Sequence, residues 1–144
     1  MGIFTSIKNK LRNNGGSALL EFALIAPLLF LLFAGIIQFG FIMNAKVVVN
    51  SASYEGVRAA TLSDEPEESA RAAVLNYASS SMPGWDFNNR LEIETNAEGN
   101  NPGDDVVVKV TYYVPNFFNK LIPITGDERV SVTSESVMQI EEKE

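Results

Sequence analysis

The sequence predicts an α+β fold in which a long N-terminal transmembrane helix continues into a small outer domain. An apolar run without formal charge extends from Phe22 to Ala45. At about 1.5 Å per residue, a helix of this length crosses a hydrocarbon core of roughly 30 Å. After this run, apolar residues recur first at helical spacing and then at alternate positions, which indicates a further helix followed by strands. We therefore expect the outer domain to hold a second helix and a roughly three-stranded antiparallel sheet.

The distribution of charge predicts how the chain is oriented. Residues 1–16 contain Lys8, Lys10 and Arg12 and no acid, whereas the whole chain carries a net charge of −7. A basic segment beside an apolar run stays on the cytoplasmic side, so we expect a single-pass protein of the cytoplasmic membrane with its N-terminus inside. The expected organisation is a basic leader over 1–16, a transmembrane helix over 17–45 and an extracytoplasmic domain over 46–144, with a helical stem at 46–62.

The amino-acid composition excludes several classes of function. The chain has no cysteine and no histidine, which excludes Ser–His–Asp and Cys–His nucleophilic sites and zinc sites built on those ligands. The remaining acids, tyrosines and lysines form no convincing catalytic pattern. We therefore expect no enzymatic activity, no cofactor and no small-molecule substrate. The acidic body of the chain also argues against nucleic acid as a partner.

A processing motif stands at the start of the apolar run. Gly16 and Ser17 are followed by Glu21, the fifth residue counted from Ser17, and then by Phe22. This pattern resembles the motif that prepilin peptidases cut after glycine, and the wider string GGSALLEFALIAPLLFLLFAGIIQFG resembles the TadE-like pseudopilins of tight-adherence (Tad/Flp) pilus systems. The later segment 50–60 resembles the small-residue segment of that family, which ends in an E-G-x-R-A motif.

The resemblance implies a role in building a bacterial pilus. It implies cleavage between Gly16 and Ser17 by a prepilin peptidase, and pairing of the Glu21 carboxylate with the new amine of a neighbouring subunit. The chain would be a minor pilin or pseudopilin that acts in pilus assembly and adhesion and reaches the cell surface after assembly. The implied partners are the peptidase, other pilins and pseudopilins, the Tad assembly platform and membrane lipid. Alternatively, Glu21 lies in the headgroup layer without a special role.

Small residues along the helix predict where it packs. Pro27 lies within the run, where we expect a bend, and Gly35 and Gly40 allow close approach of another helix. Further residues form one stripe at steps of three and four, which lies either on the chain's own domain or against neighbouring subunits. The members of this stripe are Ala45, Val49, Ala52, Gly56 and Ala59. Within the E-G-x-R-A motif, Arg58 belongs to the same packing region.

Local patterns predict the elements of the outer domain. We expect Asp64 to cap a second helix with Pro66 in its first turn, and Trp85 to close one edge of the core beyond that helix. Alternating residues predict strands at 91–95, 106–114 and 129–140. A short helical turn is expected at 116–122 and a tight turn at Gly126-Asp127.

Two questions remain open at the level of sequence. The loop at 96–105 is either a solvated hairpin loop, which its turn-forming residues favour, or a calcium site, although its spacing does not match an EF-hand loop. The functional alternatives to a Tad-type pseudopilin are an uncleaved, signal-anchored binding protein and a pseudopilin of a type II secretion or type IV pilus system. The position of Pro27 and the E-G-x-R-A segment favour the Tad-type interpretation over the latter.

Overall fold

A computed structural model describes residues 14–99, 101–116 and 130–141 of the chain. The predicted α+β fold is confirmed: a long apolar helix is followed by a second helix and a three-stranded antiparallel sheet. The elements are α1 (Asn14–Thr61), α2 (Pro66–Ser81), β1 (Leu91–Ala97), β2 (Asp105–Val114) and β3 (Val130–Gln139). Most of the leader, most of the helical turn expected at 116–122 and the turn expected at Gly126-Asp127 lie outside the described residues.

Helix α1 is continuous over 48 residues and includes Pro27. Its sequence is rich in Leu, Ala, Ile and Phe, and apolar residues surround the helix on all sides in its first half. The chain forms two compact units, which divide α1 between Ile37 and Gln38. We call residues 17–37 the exposed stretch and residues 38–61 the packed stretch.

Helix α2 begins one residue later than the capping pattern predicts. Glu65, not Asp64, is the N-cap residue, and it makes no side-chain capping hydrogen bond. Pro66 causes the shift, because the residue before a proline is disfavoured in the helical conformation. The hydroxyl of Ser63 accepts a hydrogen bond from the Glu65 backbone N–H at 3.1 Å and another from the Ser69 hydroxyl at 2.7 Å. The prediction of Asp64 as the cap is therefore wrong.

The sheet has the order β1-β2-β3, with antiparallel pairing throughout. In β2, the side chains at even-numbered positions are all buried and those at odd-numbered positions are partly exposed. Ile93 of β1 and Ser134 of β3 both lie opposite Val110, which fixes the register of the three strands. The predicted inward-facing residues are confirmed, namely Val106, Val108, Val110, Tyr112 and Val114.

The buried face of the sheet forms one core with the packed stretch of α1 and with α2. Val49 and Ala52 from α1 and Val74 from α2 belong to this core. The small-residue stripe ends one position later than predicted, because Ala60 is fully buried whereas Ala59 is only half-buried. A step of four from Gly56 stays on the same side of a helix with 3.6 residues per turn, so Ala60 continues the stripe.

The hairpin loop between β1 and β2 is tied down by its own side chains and by the end of β3. The Asp104 carboxylate accepts a hydrogen bond from the Asn101 backbone N–H at 2.9 Å, and the Gly103 N–H donates to the Ile140 carbonyl, also at 2.9 Å. In the part of the chain that the structure describes, which omits Asn100, no three acidic side chains converge as a metal ion would require. These bonds give Asp104 a structural role in the turn.

Candidate functional site

The residues of the processing motif lie together on the first turns of α1. The Ser17 hydroxyl donates a hydrogen bond to the Glu21 carboxylate at 3.2 Å, because residues four apart lie on one side of a helix. Both side chains are exposed, and so is Phe22. A Cβ atom added to Gly16 would meet no described atom within 4 Å. The described part of the chain therefore does not require glycine at position 16 for steric reasons.

The exposed stretch presents a continuous apolar surface. Large apolar side chains point outward on every side of the helix, and Leu28 is 72% exposed. Residues 17–37 rise about 32 Å at the helical repeat, close to the thickness of a hydrocarbon core. Soluble monomers rarely expose apolar patches larger than a few hundred Å². This surface therefore requires a lipid or protein environment.

The packed stretch begins at Gln38, a polar residue that is only 7% exposed. Its side-chain amide donates a hydrogen bond to the backbone carbonyl of Pro115, just after β2, at 3.2 Å. One turn later, Phe41 stacks against Trp85 with ring centroids 5.7 Å apart. Packing against the domain thus starts within the range 17–45 predicted for the transmembrane helix, and Ala45 at its end is fully buried.

Two of the predicted helix-packing residues lie in the core of the chain itself. Ala52 is buried, and a Cβ atom added to Gly56 would lie 2.6 Å from Val74 Cγ2 and 3.2 Å from Val108 Cγ1. A distance of 2.6 Å is well inside van der Waals contact, so only glycine lets α1, α2 and β2 approach this closely. The side chain of Arg58, two residues later, is exposed.

The other two glycines predicted to pack stand on a more open surface of α1. Gly40 is exposed, and a Cβ atom there would meet no described atom within 4 Å. Gly35 is half-buried. The contacts of a single chain do not require glycine at Gly40, and its predicted role in helix packing remains a prediction. The same holds for a bend at Pro27.

A polar cluster joins α1 to β3, and sequence reasoning missed it. Ser134 donates a hydrogen bond to Asn50 Oδ1 at 2.9 Å, and the hydroxyls of Ser53 and Ser136 lie 2.8 Å apart. Ser53 also donates to the backbone carbonyl of Asn50. A signal was present, because two serines interrupt the apolar face of β3 and two polar residues three apart interrupt that of α1. Matching polar breaks on two faces indicate that the faces meet there.

Charged and aromatic groups of the domain form a second region with distinct electrostatics. A hydrogen bond from the Asn89 side chain lowers the pKa of the Asp86 carboxyl below its usual value. Burial raises the pKa of Tyr112, whose ring packs against Trp85 and Phe87. The aromatic groups belong to the edge of the core.

The apolar helix and the comparison with known families both bear on the N-terminal segment of the chain. Among the described residues, α1 is long and apolar enough to cross a membrane, which is consistent with a single-pass membrane protein. Residues 16–58 match the family model described as TadE-like protein. The resemblance to the TadE-like family is thereby confirmed over the segment from Gly16 to Arg58. No curated protein and no solved structure matches the chain.

The matched segment extends from the processing motif, through the exposed stretch, to the part of α1 that lies in the core of the domain. A TadE-like segment of this kind, on an apolar N-terminal helix, fits a pilin-like protein associated with a Tad pilus. The sequence alone points to the same segment, because the processing motif and the E-G-x-R-A motif each consist of residues that are close together in the chain.

Proposed function

We propose that this protein is a minor pilin or pseudopilin of a Tad/Flp-type pilus. A prepilin peptidase would cleave it after Gly16, and it would then act in pilus assembly and adhesion by contact with other subunits. The observation that carries the proposal is the match to the TadE-like family, which starts at Gly16 and includes Glu21. The apolar, largely exposed surface of residues 17–37 supports it, because this surface needs lipid before assembly and other helices after it.

The position of the carboxylate at the edge of the apolar surface supports a role for Glu21. A charged side chain within the hydrocarbon region costs about 2.5–3.5 kcal/mol on insertion scales, so such a group is commonly paired. In the unprocessed chain the Ser17 hydroxyl donates to it. Cleavage would create an amine on Ser17, and we propose that Glu21 pairs with this amine on a neighbouring subunit. The domain would lie outside the cytoplasmic membrane, with the basic leader inside, and would carry out no catalysis.

The first test is N-terminal sequencing and intact mass of the full chain from membranes of bacteria with and without the prepilin peptidase. We expect a start at Ser17 that depends on the peptidase. Gly16→Leu should abolish cleavage, and Gly40→Leu is the matched control, because a Cβ atom at either glycine meets no described atom within 4 Å. An intact N-terminus in cells that contain the peptidase would refute processing and favour an uncleaved, signal-anchored protein.

The second test separates processing from assembly. Glu21→Gln should leave cleavage after Gly16 intact but reduce recovery of the protein in sheared pilus fractions, because the amide carries no charge to pair with the amine. Glu68→Gln is the control, since this exposed acid lies on α2. Equal recovery of the Glu21→Gln variant and the wild-type protein would rule out the proposed pairing.

A further inference from the structure

A cavity lies between the second half of α2 and the segment that follows it. Leu75, Asn76 and Ser79 contribute from the helix, and the four consecutive residues 85–88 contribute from the segment. Its volume is about 400 Å³, within the range of roughly 300–1,000 Å³ that is typical of small-molecule sites. The cavity is open to the surface and contains none of the residues in the matched family segment.

The aromatic side of the cavity is held in place by the core. Trp85 and Phe87 are both half-buried, and their rings lie 5.3 Å and 5.7 Å from the ring of buried Tyr112. Trp85 also packs against Phe41 of α1. Because these rings pack against core residues that do not line the cavity, the parts of Trp85 and Phe87 that line it form a preorganised apolar surface, which lowers the entropic cost of binding a ligand.

The polar side of the cavity is also ordered. The side-chain amide of Asn89 donates to both oxygens of the Asp86 carboxylate, at 3.3 Å and 3.0 Å. Asn76 and Asn88 add amide groups that can donate and accept hydrogen bonds. The Ser79 hydroxyl donates to the Asn76 backbone carbonyl at 3.1 Å, so its oxygen can still accept. The cavity thus combines an aromatic floor with a rim of oxygen and amide groups.

The combination of an aromatic floor and a polar rim limits which kinds of ligand fit the cavity. A lipid chain would leave the polar rim unsatisfied, and an anion would be repelled by Asp86, which is ionised at neutral pH. A metal ion would need more than this single carboxylate. A strongly cationic ligand would find Asp86 as the one acidic side chain among the residues that line the cavity. An uncharged molecule with an apolar ring face and several hydroxyl groups fits both sides of the cavity.

We propose that this cavity binds a pyranose ring of a saccharide, with its C–H face on the aromatic floor and its hydroxyls on Asp86, Asn76 and Asn88. The site is independent of the proposed role in pilus assembly, because it shares no residue with the processing motif or the exposed stretch. A carboxylate and two amides supply both acceptors and donors for adjacent hydroxyls, and aromatic side chains supply the apolar contact.

Trp85 makes the proposal directly testable, since it is the only tryptophan in the chain and it lines the cavity. The full chain in a zwitterionic detergent without a sugar headgroup should be titrated with N-acetylglucosamine, galactose and mannose. We expect a saturable change in tryptophan emission for at least one of them, with a Kd on the order of 1 mM, as suits one ring in an open cavity. Saturation-transfer NMR of the same sugar provides a second readout.

The variant Asn76→Ala should weaken binding roughly five- to tenfold through the loss of an amide hydrogen bond. Asn96→Ala is the matched control, because this asparagine is also exposed but lies on β1 and does not line the cavity. Absence of both the emission change and the transferred signal for all three sugars would overturn the proposal. Equal affinity of the Asn76→Ala variant and the control, or a response only to a lysolipid, would overturn it as well.

Discussion

The exposed and packed stretches of α1 share one helical geometry but use it in opposite ways. In the exposed stretch, apolar side chains project from all sides and Phe22, Leu28 and Phe30 are mostly exposed. In the packed stretch, one side consists of small residues and valines that are buried in the core. The difference teaches that apolar content does not decide what a helix contacts. The size of its residues and their distribution around the helix decide its contacts, because only a narrow stripe of small residues lets a sheet and a second helix approach.

The largest difference is expected between two variants that each introduce one charged residue, one in the packed stretch and one in the exposed stretch of α1. Val49→Arg buries an unpaired charge among apolar residues and should destabilise the domain by more than about 4 kcal/mol. Leu28→Arg should leave the domain stable but weaken membrane insertion by about 2.5–3.5 kcal/mol. Limited proteolysis of the full chain in detergent reports on the domain, and alkaline extraction of membranes reports on insertion. If both variants lost protease resistance equally, the functional division of α1 at Gln38 would be wrong.

A smaller difference in stability is expected between substitutions of two glycines in α1. Gly56→Ala adds a methyl group 2.6 Å from Val74 Cγ2 and should destabilise the domain by about 1–3 kcal/mol through overpacking. Gly40→Ala meets no described atom within 4 Å and should be neutral or stabilise the helix by up to about 1 kcal/mol. Thermal unfolding of both full-length variants in detergent measures the difference. Similar melting temperatures would show that the core relaxes around position 56.

The polar cluster gives the next effect in size. Ser53→Ala removes a hydroxyl that contacts Ser136 at 2.8 Å and Ser134 at 3.4 Å. The expected cost is about 1–2 kcal/mol, because polar groups near the core lose a partner. Ser17→Ala, which removes a hydroxyl from the exposed stretch, should change the stability of the domain by less than about 0.5 kcal/mol. Chemical denaturation followed by Trp85 emission distinguishes the two, and an unchanged midpoint for Ser53→Ala would show that water replaces the lost contacts.

The smallest effect is expected on the outer face of the sheet. Lys109 Nζ and Glu94 Oε2 lie 2.8 Å apart, and the hydrogen bond to Glu94 raises the pKa of Lys109 above 10.5. A raised pKa in the folded state stabilises the protein below the unfolded value of 10.5, and this contribution is lost as the pH rises through the folded pKa. The wild-type protein should therefore lose more stability than Glu94→Gln when the pH increases beyond 10.5.

Melting temperatures of both proteins across this range provide the measurement. Burial also raises the pKa of Tyr112, which adds a decrease in stability at high pH that both proteins share. Only the difference between the two curves reports on the ion pair. Parallel curves would mean that the exposed pair contributes nothing measurable, as is common for surface ion pairs.

Much of the fold could be predicted because its signals are local. The apolar run after Glu21 predicts α1, alternation from Val106 to Val114 predicts β2, and Trp85 was expected at the edge of the core where it lies. The start of α2 was missed by one residue because the capping pattern at Asp64 competed with the restriction that Pro66 imposes on its neighbour. Sequence motifs predicted the positions of the candidate site residues, but they could not predict which residues of other elements lie next to them.

The sequence by itself determined where apolar and polar residues recur, and hence the type and order of the elements and the segment that matches the TadE-like family. Only the tertiary structure decided which part of α1 is covered, that Gly56 is required by Val74 and Val108, and that Asn50 and Ser53 meet β3. The physical reason is that periodicity along one chain reports which side of an element is buried. Which other element covers that side depends on contacts between residues far apart in sequence, such as the hydrogen bond from Gln38 to Pro115.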